Sequence, residues 1–305
     1  MRVLITGASG FVGSFLLKQL IKEAKHEVAV ILRDPTNTWR IKSSLKNVFL
    51  IQGSLDNPES YRSEVIAFGP EVLVHLAWTG VGNQSRNTRD QWRNIPDMLE
   101  LIEIAGSVNV HTFIGLGSQA EYGPVNARID EDADTKPTTL YGASKLAACN
   151  IGQSLAETYN MRFSWLRLFS SYGPMDQPDW LIPYLINNLL RGESPNLTLA
   201  EQMWDYIHVR DVASAIVSMI EAPDAQGIFN LGSGNAVSLR TIIEKTRDLI
   251  DPLTQLNFGT VPYRPDQVMH LEANIDALTK ATGWCPVVGI DEGLLETVDW
   301  WKSLR

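Results

Sequence analysis

A phenol, an ammonium group and a hydroxyl are the side chains in this sequence whose types and spacing suit proton transfer. Tyr141 and Lys145 stand four residues apart, so on a helix they share one face. A nearby cation favours a phenolate, and we therefore expect the pKa of Tyr141 to lie below its usual ~10. Such a tyrosine can pass a proton to or from an alkoxide during hydride transfer. The same spacing also fits an exposed helical pair.

Ser118 supplies the hydroxyl, at the end of an apolar run that predicts a buried strand. A hydroxyl at the carboxyl end of a central strand is well placed to hold a substrate oxygen. Taken alone, Ser118 could equally be a turn residue.

A glycine-rich turn near the N-terminus is the second chemical feature. Gly7, Gly10 and Gly13 separate a predicted strand from a predicted helix. Glycine allows a tight turn and a close approach of the backbone to a pyrophosphate, while the helix N-terminus supplies N–H donors. We expect a dinucleotide site here; the alternative is a glycine-rich turn without a ligand.

The end of the next predicted strand should select between NAD and NADP. An acidic residue at that position suits the ribose of NAD, whereas an arginine suits the 2′-phosphate of NADP. Arg33 ends this strand and Arg40 follows it, so we expect NADP(H), with NAD as the alternative. In the competing interpretation Arg33 is a solvated surface charge and Asp34 binds the ribose.

The elements that position these groups follow from the apolar pattern. Short apolar runs alternate with helical patterns, which predicts a parallel sheet covered on both faces. We expect an α/β fold, a Rossmann-type doubly wound parallel sheet with a smaller mixed α/β C-terminal substrate lobe. The predicted strands are Val3–Ile5, Val28–Leu32, Val48–Ile51, Val72–Leu76, Phe113–Leu116 and Arg162–Leu168.

The remaining elements divide the chain in two. A helix is expected from Thr139 to Tyr159, a surface loop over Asn126–Thr138, and a last helix with Asp291 as its N-cap. We expect a dinucleotide-binding domain over residues 1–172 and a nucleotide-sugar-binding lobe over 173–305, with segments such as 205–235 packing back on the first domain.

Composition and charge argue against several classes of protein. The net charge is −9 without a Lys/Arg run, so a nucleic-acid partner is not expected. No apolar run approaches ~18 residues, and the glycine turn begins too early for a cleaved signal, so we expect no membrane span and a cytoplasmic location. Cys149 and Cys285 are expected to be buried thiols, and the scattered histidines predict no metal site.

Taken together, ordered motifs across nearly the whole chain resemble the extended short-chain dehydrogenase/reductase superfamily, within its NAD-dependent epimerase/dehydratase family. Besides the glycine turn, Ser118, Tyr141 and Lys145, these are His75-Leu76-Ala77, Tyr122-Gly123, Arg167 to Pro174, Trp204 to Val209, Phe229 to Gly234, Gly283-Trp284 and Trp300-Trp301. The resemblance implies an enzyme acting on a nucleotide-sugar, in which a Ser/Thr–Tyr–Lys set moves a hydride at sugar C4. Ser118, Tyr141 and Lys145 match that set.

The resemblance also implies which residues bind the ligands. Lys145 would hold the nicotinamide ribose, and Asn94 would orient Lys145 through backbone and water. The implied cofactor ligands are Gly7, Ser9, Gly10, Phe11, Val12, Gly13, Arg33, Arg40, Ser54, Leu55, Leu76, Ala77, Trp78, Asn94, Tyr141, Lys145 and Leu168. The implied substrate ligands are Trp78, Ser118, Gln119, Ala120, Ser170, Leu181, Trp204, Arg264 and Asp266.

Departures from the family pattern narrow the reaction. Gln119 and Ala120 stand where 4,6-dehydratases carry an acid and a base, and Ala120 stands where fucose-synthase-like 3,5-epimerases carry a cysteine. Hydride chemistry at C4 remains. The segment Asn37–Ile41 and Gln119 look like the branch of 4-keto-6-deoxyhexose reductases, so we expect a 4-ketoreductase, with a 4-epimerase retaining NAD as the alternative.

Three further departures concern the ligands. Ser54 replaces a frequent Asp near the adenine, Ser170 a frequent Asn near the diphosphate, and Trp204 a phosphate-facing Arg.

Relatives of this kind often form homodimers through two neighbouring helices, and we expect a homodimer here. The apolar candidates for that interface are Leu99, Ile102, Ile104 and Ala105 on one helix and Leu146, Ala147, Ile151 and Leu155 on the other. They could equally be core residues.

Overall fold

The structure, a computed structural model, describes residues 1–263 and 267–305. In its first half strands and helices alternate as the apolar runs predicted. The elements are β1 (Arg2–Thr6), α1 (Phe11–Glu23), β2 (Glu27–Leu32), β3 (Phe49–Gln52), α2 (Arg62–Phe68), β4 (Val72–His75), α3 (Asn94–Ser107), β5 (Thr112–Ser118), β6 (Ala127–Ile129), α4 (Leu140–Thr158) and β7 (Arg162–Leu168).

The second half mixes short strands with helices. Its elements are β8 (Ser170–Tyr172), α5 (Leu181–Leu190), β9 (Met203–His208), α6 (Val209–Glu221), β10 (Gly227–Leu231), β11 (Ala236–Ser238), α7 (Leu239–Asp248), β12 (His270–Ala273), α8 (Asp276–Thr282) and α9 (Ile290–Lys302). None of the helices in the described part of the chain is long and apolar enough to span a membrane.

Seven parallel strands form the main sheet, in the order β3-β2-β1-β4-β5-β7-β10. One core lies between the sheet and α1 with α6, and another between the sheet and α2, α3 and α4. Both faces are covered, which explains why the strands are continuous apolar runs. The strand order reverses between β1 and β4, and in doubly wound sheets the ligand binds at that point. The predicted Rossmann-type fold is confirmed.

A second, mixed sheet has the order β11-β9-β12-β6, with β8 paired to β9. Ile186, Ile242 and Leu294 form part of a separate core beneath it. The chain crosses between the two sheets, because β6 from the first half joins the second sheet and β10 from the second half joins the first. The residue boundary predicted between the two lobes therefore stays a prediction.

Buried polar side chains tie the two sheets together. Asp205 on β9 accepts hydrogen bonds from the backbone N–H groups of Ser233, Gly234 and Ala273, at 2.7, 3.0 and 3.0 Å. Asn230 on β10 accepts a hydrogen bond from the Tyr122 hydroxyl at 2.7 Å. These hydrogen bonds join elements of the two sheets to each other.

Three sequence predictions need correction. The segment Asn126–Thr138 is not wholly a loop, since it contains β6, a three-residue strand too short to show a periodic pattern. The last helix has Gly289 as its N-cap and places Asp291 in its first turn. Cys149 is buried as expected, but Cys285 is exposed.

The apolar residues considered for a dimer interface differ in how deeply they are buried. Ile102, Ile104 and Ala105 are buried in the core against the sheet. Ile151 on α4 is 47% exposed, so it remains available for an interface.

Candidate active site

A cavity of about 890 Å³ opens at the carboxyl ends of the strands of the main sheet. The turn after β1, the ends of β2, β4 and β5 and the first turn of α4 line it. Gly7, Ser118, Tyr141 and Lys145, distant in sequence, therefore face one space.

The glycine turn has the shape that a pyrophosphate needs. Gly7 has a φ of 75°, and a Cβ there would lie 2.6 Å from the backbone nitrogen of Ala77. A Cβ on Gly13 would overlap the carbonyl oxygen of Gly7. Gly10 caps α1 without a side-chain acceptor, and the first turn of α1 has no acidic residue. No acidic side chain of the cap or first turn therefore occupies the N–H groups and the positive dipole end of α1, so the residues present fit a dinucleotide phosphate.

The end of β2 presents arginine to the cavity. Arg33 lines it, whereas the exposed Asp34 accepts hydrogen bonds from the backbone N–H and hydroxyl of Thr36 at 2.8 and 2.6 Å. These bonds lower the pKa of Asp34, and they engage its carboxylate within the turn that follows β2. Asp34 is thus engaged in its own turn, and Arg33 is the charged residue at the end of β2 that lines the cavity.

Arg40, predicted as a second cofactor ligand, is absent from the described residues that line the cavity. Its Nε donates to the carbonyl oxygen of Met175 at 3.0 Å, and its guanidinium lies 4.2 Å from the centre of the Trp39 ring. The bond to Met175 joins the loop after β2 to the C-terminal half of the chain, so the structure does not place Arg40 among the described cavity residues expected to hold the cofactor.

Tyr141, Lys145 and Ser118 are each less than a tenth exposed. Thr139 caps α4 by accepting a hydrogen bond from the Gly142 N–H at 3.1 Å, which places Tyr141 in the first turn. Lys145, one turn later, donates from Nζ to the carbonyl oxygen of Leu116 at 2.6 Å. The carboxyl end of β5 and the first two turns of α4 thus bring the three side chains together.

The electrostatics differ from those expected from the sequence. Burial raises the pKa of Tyr141, against the opposing effects of a hydrogen bond with Ser118 and the charge of Arg86. Burial also lowers the pKa of Lys145 to about 7, with the charge of Glu121 opposing the change. The Lys145 amine lies 3.8 Å from the centre of the Trp78 ring. The expectation that Lys145 lowers the pKa of Tyr141 is therefore wrong.

Glu121 positions Ser118 and was not singled out in the sequence. Its Oε1 accepts hydrogen bonds from the Ser118 backbone N–H and from Trp165 Nε1, both at 2.9 Å. Its Oε2 pairs with Arg167 Nε at 2.8 Å, with both side chains buried. The Ser118 hydroxyl in turn accepts from the Ala120 N–H at 3.2 Å, which completes a capping box. The spacing Ser118-x-x-Glu121 is the signal that could have revealed this role.

Replacing Glu121 with glutamine is expected to lower the free energy of unfolding by ~3–5 kcal/mol, because Arg167 would be left as an uncompensated buried charge. Urea denaturation would measure this loss. The control is Glu59→Gln, which removes a carboxylate that is 80% exposed from its pair with Arg62 and should cost ~0–1 kcal/mol. Equal small losses in both variants would contradict the assigned role of Glu121.

Trp204 and Ser170, both departures from the family pattern, contact each other in the cavity wall. The indole N–H of Trp204 donates to the Ser170 hydroxyl at 2.5 Å, so these replacements hydrogen-bond to each other. Both line the cavity, as do Gln119, Ala120 and Leu181. The predicted ligands Arg264 and Asp266 lie outside the described residues.

Asn94 stabilises the loop between β4 and α3, and its expected influence on Lys145 stays a prediction. Its Oδ1 accepts from the Thr79 N–H at 2.7 Å, and its Nδ2 donates to the carbonyl oxygens of Gln91 and Asp90 at 3.0 and 3.2 Å. Asn94 lines the cavity all the same. So do the other predicted cofactor ligands Ser9, Gly10, Phe11, Val12, Gly13, Ser54, Leu55, Leu76, Ala77, Trp78 and Leu168.

Several cavity residues carried no signal in the sequence. Arg86, Asp176 and Trp180 lie in loops between regular elements and reach the cavity through the fold. Burial raises the pKa of Asp176 to about 7, so its carboxyl group titrates near neutral pH. No local spacing relates these residues to the catalytic set.

A doubly wound parallel sheet with a glycine turn after β1 and a Ser–Tyr–Lys set at one cavity defines a dinucleotide-binding enzyme of the short-chain dehydrogenase/reductase class. The family model described as NAD dependent epimerase/dehydratase family matches residues 3–232, and the chain belongs to this family. The resemblance noted in the sequence is thereby confirmed.

Relatives of known activity and structure cover almost the entire chain. CDP-abequose synthase of Salmonella muenchen is 27% identical, over 96% of this chain and 95% of that protein. A UDP-N-acetylglucosamine 4-epimerase of Methanobrevibacter ruminantium, solved with UDP-N-acetylmuramic acid, has a TM-score of 0.90 at 25% identity over 100% and 99% of the two chains. The UDP-glucose 4-epimerase of Thermus thermophilus, solved with NAD, has a TM-score of 0.85 at 25% identity over all of both chains.

Proposed function

We propose that this enzyme is an NADPH-dependent 4-ketoreductase acting on a nucleotide-linked 4-keto-6-deoxy sugar. The observation that carries the proposal is Arg33 at the cavity end of β2, with Asp34 turned to its own loop. An arginine there favours the 2′-phosphate of NADP(H). Net reduction needs a cofactor that is exchanged after each turnover. The similarity to CDP-abequose synthase is consistent with this proposal.

The described residues supply the proton chemistry. NADPH, when bound, supplies the hydride that reduces the C4 carbonyl. The Ser118 hydroxyl holds the C4 oxygen by donating a hydrogen bond, and Tyr141 donates its phenolic proton to that oxygen. The raised pKa of Tyr141 keeps the phenol protonated at neutral pH, as the reducing direction requires.

Gln119 and Ala120 restrict the reaction. They follow Ser118 directly and line the cavity, yet neither side chain can act as an acid or base. Elimination of water would need such groups at the sugar. The site is therefore suited to reduction at C4 and not to 4,6-dehydration.

The activity test uses NADPH and a panel of nucleotide-linked 4-keto-6-deoxy sugars. We expect loss of NADPH absorbance with one panel member and a product reduced at C4, identified by NMR. Absence of reduction across the panel, together with interconversion of C4 epimers without added cofactor, would overturn the reductase proposal.

NADP(H) is expected to bind at least about tenfold more tightly than NAD(H), because a charge-assisted contact of Arg33 with the 2′-phosphate contributes ~1.5–3 kcal/mol. Isothermal titration calorimetry would measure both affinities. Arg33→Gln should abolish the preference, whereas Arg40→Gln should keep it, because Arg40 is bonded to Met175. Equal affinities of the unmodified protein for NADP(H) and NAD(H) would contradict the NADP assignment.

A nucleotide-sugar 4-epimerase with retained NAD is the second candidate. It is favoured by the similarity to solved 4-epimerases, one of them in complex with NAD. Such an enzyme returns the hydride to the opposite face of C4, so its cofactor is not consumed. Co-purification of tightly bound NAD would support it.

We also propose that the protein is a homodimer through α3 and α4. Ile151, exposed on α4, is the apolar side chain that an interface of this kind would cover. Light scattering at micromolar concentration should give twice the mass of one chain, and Ile151→Glu should reduce it to that of a monomer. A monomeric unmodified protein would contradict this proposal.

A further inference from the structure

Arg86 is a charged side chain of the cavity wall that the mechanism above does not use. It lies between β4 and α3, and its guanidinium carbon is 5.3 Å from the centre of the Tyr141 ring. We propose that Arg86 is the cation that sets how readily the Tyr141 phenol gives up its proton, a role that the sequence assigned to Lys145. The proposal rests on the proposed role of Tyr141 as proton donor.

The backbone fixes Arg86 beside Tyr141. The carbonyl oxygen of Arg86 accepts a hydrogen bond from the Tyr141 N–H at 2.8 Å, and Asn87 Oδ1 accepts from the Leu140 N–H at 3.0 Å. Both donors belong to the first turn of α4, where N–H groups have no partner within the helix. The loop carrying Arg86 is therefore part of the N-terminal cap of the helix that carries Tyr141.

The Arg86 side chain is also held in place by aromatic rings. Its guanidinium carbon lies 5.7 Å from the centre of the Trp180 ring, so two rings are within the range of cation–π contact. Because Trp180 comes from the C-terminal half of the chain, both halves together determine where the charge sits.

The positive charge of Arg86 is uncompensated among the described residues. No ion pair between them includes Arg86, and its buried Nε has no hydrogen-bond partner there. Arginine stays protonated at any pH at which a protein is folded. Its charge therefore acts on the phenol of Tyr141, whose pKa it lowers.

The other groups around Tyr141 do not replace this charge. Ser118 is neutral, and Glu121 carries a negative charge that raises the pKa of Tyr141. Lys145 donates to the Leu116 carbonyl oxygen, and its pKa of about 7 leaves it only partly charged at neutral pH. The ring of Trp78 meets the Tyr141 ring edge to face at 6.4 Å and is uncharged.

A positive charge 5.3 Å from the centre of the Tyr141 ring has a predictable consequence. A cation within ~4–6 Å of an acid lowers its pKa by ~1–3 units. In proton donation Tyr141 becomes a phenolate, so Arg86 stabilises the charge that develops on the donor. Removal of Arg86 should leave Tyr141 a weaker acid by about one pH unit or more.

The test follows the ionisation of the residue at position 141 directly. Difluorotyrosine is incorporated at that position, and its ¹⁹F resonance is titrated in otherwise unmodified protein, Arg86→Gln, Arg86→Lys and Arg89→Gln. Fluorination makes the phenol more acidic, which brings the titration into the range where the protein is folded. Arg89, exposed in the same loop, is the matched control for loss of one charge.

Arg86→Gln is expected to raise the midpoint by about one pH unit or more, and Arg86→Lys by less, because the charge is kept. Arg89→Gln should leave it unchanged. A merely structural role would make Arg86→Gln and Arg86→Lys shift alike, and an unchanged midpoint in Arg86→Gln would overturn the proposal.

Failure of the proposed function is a separate result. If Tyr141 were no catalyst, Tyr141→Phe would keep its turnover, whereas the ¹⁹F midpoints would still report the influence of Arg86. On a confirmed substrate, the alkaline limb of the kcat profile should shift upward in Arg86→Gln by the amount seen in the titration.

Discussion

Tyr141→Phe is expected to lower kcat by ~10²–10⁴-fold, which is the contribution of general acid catalysis. The aromatic ring and its packing against Trp78 remain, but the proton donor is lost, so hydride transfer leaves an uncompensated alkoxide. The substrate KM should change far less, because the missing interaction matters mainly in the transition state. Steady-state kinetics on the substrate found in the panel would measure both constants.

Two variants serve as references for Tyr141→Phe. Tyr184 is 41% exposed and absent from the described cavity lining, so Tyr184→Phe should keep full turnover. Ser118→Ala should lose less activity than Tyr141→Phe, since water can replace the hydroxyl. Near-normal turnover of Tyr141→Phe would show that the catalytic assignment is wrong.

Lys145→Met is expected to abolish most activity and yet to stabilise the protein. The pKa of Lys145 is lowered from 10.5 to about 7 because burial disfavours its charged form. Relative to the unfolded chain, this difference corresponds to a cost of ~4 kcal/mol at neutral pH. Methionine avoids that cost, but the Leu116 carbonyl oxygen loses its donor, at ~1–3 kcal/mol. A net gain of ~1–3 kcal/mol is expected.

The dependence on pH identifies the cause of this gain. Between the folded pKa of about 7 and the unfolded value of 10.5, the unfolded chain binds more protons at Lys145 than the folded protein. Stability of the unmodified protein therefore rises with pH across this window. The advantage of Lys145→Met should be largest at pH 7 and below, and should shrink as pH rises towards 10.5.

Urea denaturation at several pH values would measure this change. Lys22→Met, at an exposed position on α1, is the control and should show no such dependence. A stability difference between Lys145→Met and the unmodified protein that stays constant across the window would contradict the buried-amine explanation.

The glycine turn and the catalytic helix could be predicted because their signals are local. Gly7 has a positive φ, which glycine adopts readily, so the residue type itself indicates the turn. The spacing of Tyr141 and Lys145 fixes them on one helical face wherever the helix lies. The strands of the main sheet could be predicted equally well from their apolar runs, because strands buried on both faces contain few polar residues.

Short elements and pairings between remote residues could not be predicted from the sequence. The strand β6 is three residues long and pairs with β12, about 140 residues further along the chain. Such a strand has no periodicity of its own and is stabilised entirely by its partners. The pairing of Trp204 with Ser170 is hidden for the same reason, since each residue taken alone appears only as a departure from the family pattern.

The sequence by itself determined the class of fold and the dinucleotide turn, because each depends on local patterns, and it indicated the Ser–Tyr–Lys set through ordered motifs that resemble a known family. Only the tertiary structure decided the electrostatics of that set. Burial raises the pKa of Tyr141, and Lys145 is bonded to Leu116 on β5. The cation beside the phenol is Arg86, brought there by a loop that caps α4. Charge and desolvation act through space, and distances in space are set by the packing of elements that are remote in sequence.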